Sequence, residues 1–158
     1  MTTAIQPSVF TEDLLAMLTE VFENVQGYIL DRGTSLFDTL SGISAAEASI
    51  PVGNKCATIA VQVAHVIFYM DTLEHFLQTG QNERVDWGEV WRTVSEVTPE
   101  EWAALQERLR ETYQRLRGDI ETHDDWSTAN SVGGAIAFVA HSAYHLGEIR
   151  QAMCTVKA

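Results

Sequence analysis

Two histidines stand four positions apart in "AFVAHSAYHLGEIRQAM", residues 137 to 153, and a third interrupts the apolar run "IAVQVAHVIFYM", residues 59 to 70. On an α-helix, residues i and i+4 share one face with Cβ atoms about 6 Å apart, so the imidazoles of His141 and His145 can converge on one ion. His65 sits midway along a second apolar segment, where a polar group without a partner costs ~1–3 kcal/mol. Sharing a cation would give all three rings a partner. Three neutral imidazoles suit a borderline divalent transition metal, zinc or nickel. A set of three protein ligands also leaves coordination positions for water or substrate.

Two further residues are placed to act beside such an ion. Glu148 follows His141 by seven residues and so falls on nearly the same helical face. It can serve as a fourth ligand, as an acceptor for an imidazole N–H, or as a general base, and a solvated surface glutamate is an equally open reading. Tyr69, one turn beyond His65, can line a pocket or hydrogen-bond a ligand of the ion, or simply fill the core. His75 and His123 lie in polar surroundings, and Cys154 comes near the end of the last apolar segment, too far from His145 to share its ion. HExxH, paired Glu-x-x-His, a glycine-rich phosphate loop and GxSxG are all absent from the sequence.

Four long segments of helical periodicity must position these groups, and nothing alternates like a strand. The first, roughly 9 to 30, repeats Phe10, Leu14, Leu18, Val21, Phe22, Val25 and Ile29 at three- and four-residue steps. A Gly, Ser and Thr-rich connector, 31 to 53, predicts a helical turn or two around Leu36, Phe37 and Leu40. The second helix, about 54 to 79, is apolar nearly all round in its first half. Residues 80 to 98, with Trp87 and Trp91, are long enough to cross the length of a bundle, and these tryptophans are expected to pack the crossover down. "TPEEW" then predicts a start at Thr98, with Pro99 at the first helical position and Glu101 completing a capping box, in a helix reaching about 122. Asn130 or Ser131 caps the fourth helix, which runs to about Val156. The expected fold class is all-α: one domain over 1–158, a four-helix bundle with a long crossover between its second and third helices.

Composition narrows the partners. The chain has 22 acidic against 10 basic side chains, a formal charge of -12, which repels nucleic-acid backbones and anionic membranes. A hydrophobic content of 46% over 158 residues supports one genuine core. The apolar excess over that core predicts a homodimer. Neither a signal-peptide pattern nor a membrane-length apolar run is present, and Cys56 and Cys154 form no recurring spacing, so a reduced, cytoplasmic protein is expected.

A histidine in the middle of the second helix followed near the C-terminus by "HSAYHLGEIRQ" resembles the DinB-like superfamily, whose fourth helix typically reads H-x-x-x-H-x-G-Q-I-R. The resemblance spans essentially the whole chain, including the crossover and the "TPEEW" opening, and departs from the pattern at Glu148, where the family often has Gln. It implies an up-down-down-up bundle, often a homodimer, with a divalent metal on His65, His141 and His145. It also implies thiol-dependent S-transferase-type chemistry on a small-molecule substrate such as a low-molecular-weight thiol; Glu148 and Tyr69 are the candidate catalytic groups by their positions on the helices rather than by the resemblance. Such thiols carry carboxylates, and Lys55 and Arg150 are the nearest cations by sequence. The alternative expectation is a non-catalytic metal- or ligand-binding, stress-related bundle whose ion contributes folding free energy.

Overall fold

The computed structural model describes residues 5–53, 57–81, 84–128 and 130–157. Among them the chain forms seven α-helices and no strand: α1 Pro7–Phe22, α2 Leu36–Ser41, α3 Ala45–Ala48, α4 Ile59–Thr79, α5 Glu89–Thr93, α6 Pro99–Thr122 and α7 Ser131–Val156. The four long ones fall in the four periodic segments, and α2 and α3 occupy the connector. Among the described residues no helix is long and apolar enough to cross a membrane.

Helix starts follow local chemistry. Thr98 accepts from Glu101 N–H while the Glu101 carboxylate takes Thr98 N–H, so both bonds of the capping box form at the start of α6. α4 starts later than the sequence predicts: Thr58 is its N-cap and accepts from Val61 N–H, and residues 54–56 of the expected helix lie outside the described residues. α4 ends at Gly80, which adopts the left-handed conformation with φ 66°.

The first helix ends eight residues before its expected limit. Glu20, fully buried on α1, accepts hydrogen bonds from the N–H groups of Tyr28, Ile29 and Leu30 at 2.6–2.8 Å. That pulls the chain out of the helix and back over its own last turn. Ile29, counted in the periodic stripe, is consequently exposed.

Helix α4 packs on α6 and α7, and α1 packs on the same two. Across α4 and α6, Asp71 pairs with Arg108 and Arg115, Glu74 with Arg115, and Gln78 with Asp119. Numbers rise together along this seam, so the two helices run in the same direction, which the connection from 81 to 98 makes possible. Across α4 and α7, Gln62 meets His145 and Tyr69 meets His141, an antiparallel order. The core joins α1, α2, α6 and α7 through rings: Phe22 stacks on Tyr113 at 4.4 Å and lies 5.9 Å from both Phe37 and Phe138. Complete burial of each such side chain contributes ~1.5–3 kcal/mol. The Tyr113 hydroxyl, at the polar edge of this cluster, donates to Glu23.

Candidate metal centre

His65 projects from the first half of α4, and His141 and His145 from successive turns of α7, so the antiparallel contact of these two helices brings the three rings together. One potential ligand atom from each lies within 4.8 Å of the others. Ring centroids are 5.2 Å apart for His65 and His141, 4.8 Å for His65 and His145, and 4.4 Å for His141 and His145. Two nitrogens each ~2.1 Å from a tetrahedral ion are roughly 3.4 Å apart, so small ring rotations suffice to close the set on one metal.

The hydrogen bonding matches that use. His65 Nδ1 and His141 Nε2 are buried with no hydrogen-bond partner; among the described residues the one other such side-chain atom is Ser142 Oγ. Buried polar atoms are normally satisfied, so two orphaned imidazole nitrogens facing a third histidine call for a shared partner. His145 differs. Its Nδ1 lies 2.6 Å from Gln62 Oε1 and 3.0 Å from Glu148 Oε2, an arrangement that holds the ring proton on Nδ1 and leaves Nε2 as a lone pair.

Burial sets the protonation. Desolvation lowers the pKa of His65, and of His145 against the opposing pull of Glu148. For His141, desolvation together with His145 and His65 pushes it down to about 4. All three are therefore neutral near pH 7, the form in which imidazole ligates metal.

The remaining residues singled out by sequence fall around this cluster or away from it. Tyr69 stacks flat on His141, with centroids 3.8 Å apart and 19° between the planes. Glu148 touches the Nδ1 of His145 and lies outside the three-histidine group; its other oxygen accepts from Tyr144 Oη at 2.7 Å. His75 is exposed on α4, while His123 contacts Trp126 and the Asp125 carbonyl beyond the end of α6. Cys154 is exposed. Arg150 turns to Thr39 on α2, and Lys55 and Cys56 lie outside the described residues.

Sequence reasoning missed Gln62 and underrated Trp91. Gln62 is a polar residue inside an apolar run three positions before His65, and that spacing was the available signal. Trp91, on α5, rests on His65 with centroids 4.8 Å apart, so the crossover supplies part of the site as well as spanning the fold. Thr58 Oγ1 donates to the Ser95 carbonyl and Val97 N–H to Ser49 Oγ, fixing this stretch against α3 and the start of α4. Between them lies a cavity of about 650 Å³ walled by Val61, Gln62, Trp91, Tyr144, His145 and Glu148 among others. Of the three histidines, only His145 lies on its wall.

No family model, curated protein or solved structure matches the chain. The functional reading therefore stands on the geometry of the centre and on the sequence pattern.

Proposed function

We propose that the protein binds one divalent transition-metal ion, zinc or nickel, through His65, His141 and His145, and uses it as a metal-dependent enzyme of the DinB-like type. The observation that carries this reading is the pair of buried, unpartnered nitrogens, His65 Nδ1 and His141 Nε2, in a group of three histidines that each offer a ligand atom within 4.8 Å of the others. In this reading the four long helices form an up-down-down-up bundle, supported by the parallel α4–α6 and antiparallel α4–α7 seams.

A bound divalent ion supplies Lewis acidity to a donor atom that reaches it. The chain's own groups do the rest. Gln62 and Glu148 orient His145 through Nδ1, and Tyr69 holds the plane of His141. Glu148, 36% exposed at the cavity wall, can take up and return a proton at a carboxylate oxygen. Thiol transfer is the reaction class this reading favours, with hydrolysis second. A homodimer belongs to the same reading, supported by an apolar groove of about 460 Å³ along α1 and α7, lined by Phe10, Leu14, Met17, Ile136 and Val139 among others.

Metal analysis of the purified chain tests the proposal: one equivalent of zinc or nickel is expected in the wild type and none in His65→Ala. Full occupancy in that variant overturns the ligand set. If the ion binds but its removal lowers stability and alters no thiol-transfer or hydrolytic rate, the protein is a metal-binding bundle rather than an enzyme.

A further inference from the structure

The cavity beside the metal centre has an electrostatic character of its own. Of the described residues on its wall, Glu148 alone carries a formal charge; Thr58, Gln62, Ser95 and Tyr144 are polar and neutral, and Pro51, Ala57, Val61 and Val94 are apolar. The described cations nearest the wall residues in sequence are engaged elsewhere, Arg92 with Asp86 and Arg150 with Thr39. Two aromatic side chains stand at the same wall with much of their surface still in water, Trp91 at 40% and Tyr144 at 62%. Large aromatic groups left this exposed around a concave site are surface that a ligand can cover.

We propose that this cavity binds a small organic cation, an amine or ammonium compound whose charged end meets the Glu148 carboxylate and whose body lies against Trp91 and Tyr144. The proposal names the substrate class of the proposed metal-dependent site and rests on that reading for its functional meaning, although the recognition itself needs no metal. Glu148 Oε1 accepts one bond from Tyr144, and Oε2 lies 3.0 Å from His145 Nδ1, which also faces Gln62 Oε1 at 2.6 Å, so both carboxylate oxygens keep acceptor capacity for a donor in the cavity. A charge-assisted hydrogen bond to this carboxylate and the electron-rich faces of Trp91 and Tyr144 all attract a cation. The same groups repel a carboxylate, and no described cation on the wall offsets that. A carboxylate-bearing thiol is therefore a poor fit, and an amine-bearing one a good fit.

Two probes of similar size and opposite charge, 2-phenylethylammonium and 3-phenylpropanoate, separate the alternatives. Titrated into metal-free and zinc-treated full-length protein by calorimetry and tryptophan fluorescence, the ammonium is expected to bind at least about tenfold more tightly. Glu148→Gln should erase that preference, and Trp91→Leu should weaken ammonium binding several-fold, with circular dichroism confirming that both variants fold. Equal affinities, tighter binding of the anion, no binding of either probe, or a preference that survives Glu148→Gln overturns the proposal. Zinc uptake is measured on the same samples. A charge preference without zinc uptake removes the metal reading and leaves the cation site, whereas zinc uptake without a charge preference does the reverse.

Discussion

Gln62 Oε1 lies 2.6 Å from His145 Nδ1, closer than Glu148 Oε2 at 3.0 Å, so an uncharged amide shares with a carboxylate the task of orienting one imidazole. Gln62 reaches across from α4, whereas Glu148 is on the same helix as His145. Partners of this kind fix the tautomer and raise the basicity of the ligating nitrogen, and their removal typically costs ~10–100-fold in metal affinity. Because Glu148 remains, Gln62→Leu is expected at the lower end, about tenfold weaker zinc binding by competition with a chromophoric chelator. Unchanged affinity would assign the orientation to Glu148 alone.

Protons compete with metal for the same nitrogens, and burial decides where. All three histidines have pKa values lowered below the ordinary 6.5, His141 to about 4. Each ring therefore takes up its proton at a lower pH than a solvated imidazole does, so zinc uptake should weaken only below the usual imidazole range, between 6.5 and the His141 value of about 4. Retention after equilibration across that range checks it; half-loss at pH 6.5 would mean the rings are solvated.

The same shifts bear on the metal-free fold. A histidine whose folded pKa is depressed stays neutral in the native state while the unfolded chain takes up its proton. Its contribution to stability is complete above 6.5 and is lost as pH drops through the folded value. Metal-free protein should therefore show a falling denaturant midpoint from about pH 6.5 towards 4. The triple variant His65→Gln, His141→Gln, His145→Gln should show a shallower fall over that window. Identical slopes would place the titration elsewhere.

Glu20 carries the fold's largest local departure from the pattern of its sequence. Burial by itself would raise its carboxyl, but the N–H groups of Ile29, Leu30 and Tyr28 outweigh that and hold it below the ordinary value. Glu20→Ala strands three donors and opens a cavity, so a loss of roughly 3 kcal/mol is expected in chemical denaturation. Glu20→Gln, with one acceptor oxygen, should lie between the two. A loss below about 1 kcal/mol for the alanine variant would mean that water replaces the carboxylate.

This pattern marks how far the sequence could be read. "TPEEW" specified the start of α6 because Thr98, Pro99 and Glu101 act on one another within four residues. The three histidines were legible because each sits in a run too apolar for an unpartnered imidazole. Val25 and Ile29 fit the periodicity of α1 equally well and lie outside it, since periodicity carries no record of a carboxylate capturing amides eight to ten residues away. Trp91 was legible as an aromatic of the crossover, but its seat on His65 depends on where a long connection crosses the fold. Gln62 lay between these cases: its spacing from His65 was visible, its partner on α7 was not.

The apolar groove between α1 and α7 bears on assembly. Val9, Ile29 and Ile136 are 47%, 47% and 57% exposed on or beside these helices, and Phe10, Leu14, Met17 and Val139 line the groove, with Asp13 as the one charged group among the described residues of its wall. A contiguous apolar surface with so little charge is costly to leave in water on a chain of net charge -12, whose other faces repel a second copy. Association through this face would bury the apolar surface and leave the acidic residues outside. Light scattering should therefore give a dimer mass for the wild type and a monomer mass for Ile136→Glu, with zinc content unchanged because residue 136 lies more than a helical turn from His141. A wild-type monomer at micromolar concentration, or an Ile136→Glu dimer, would detach the groove from self-association.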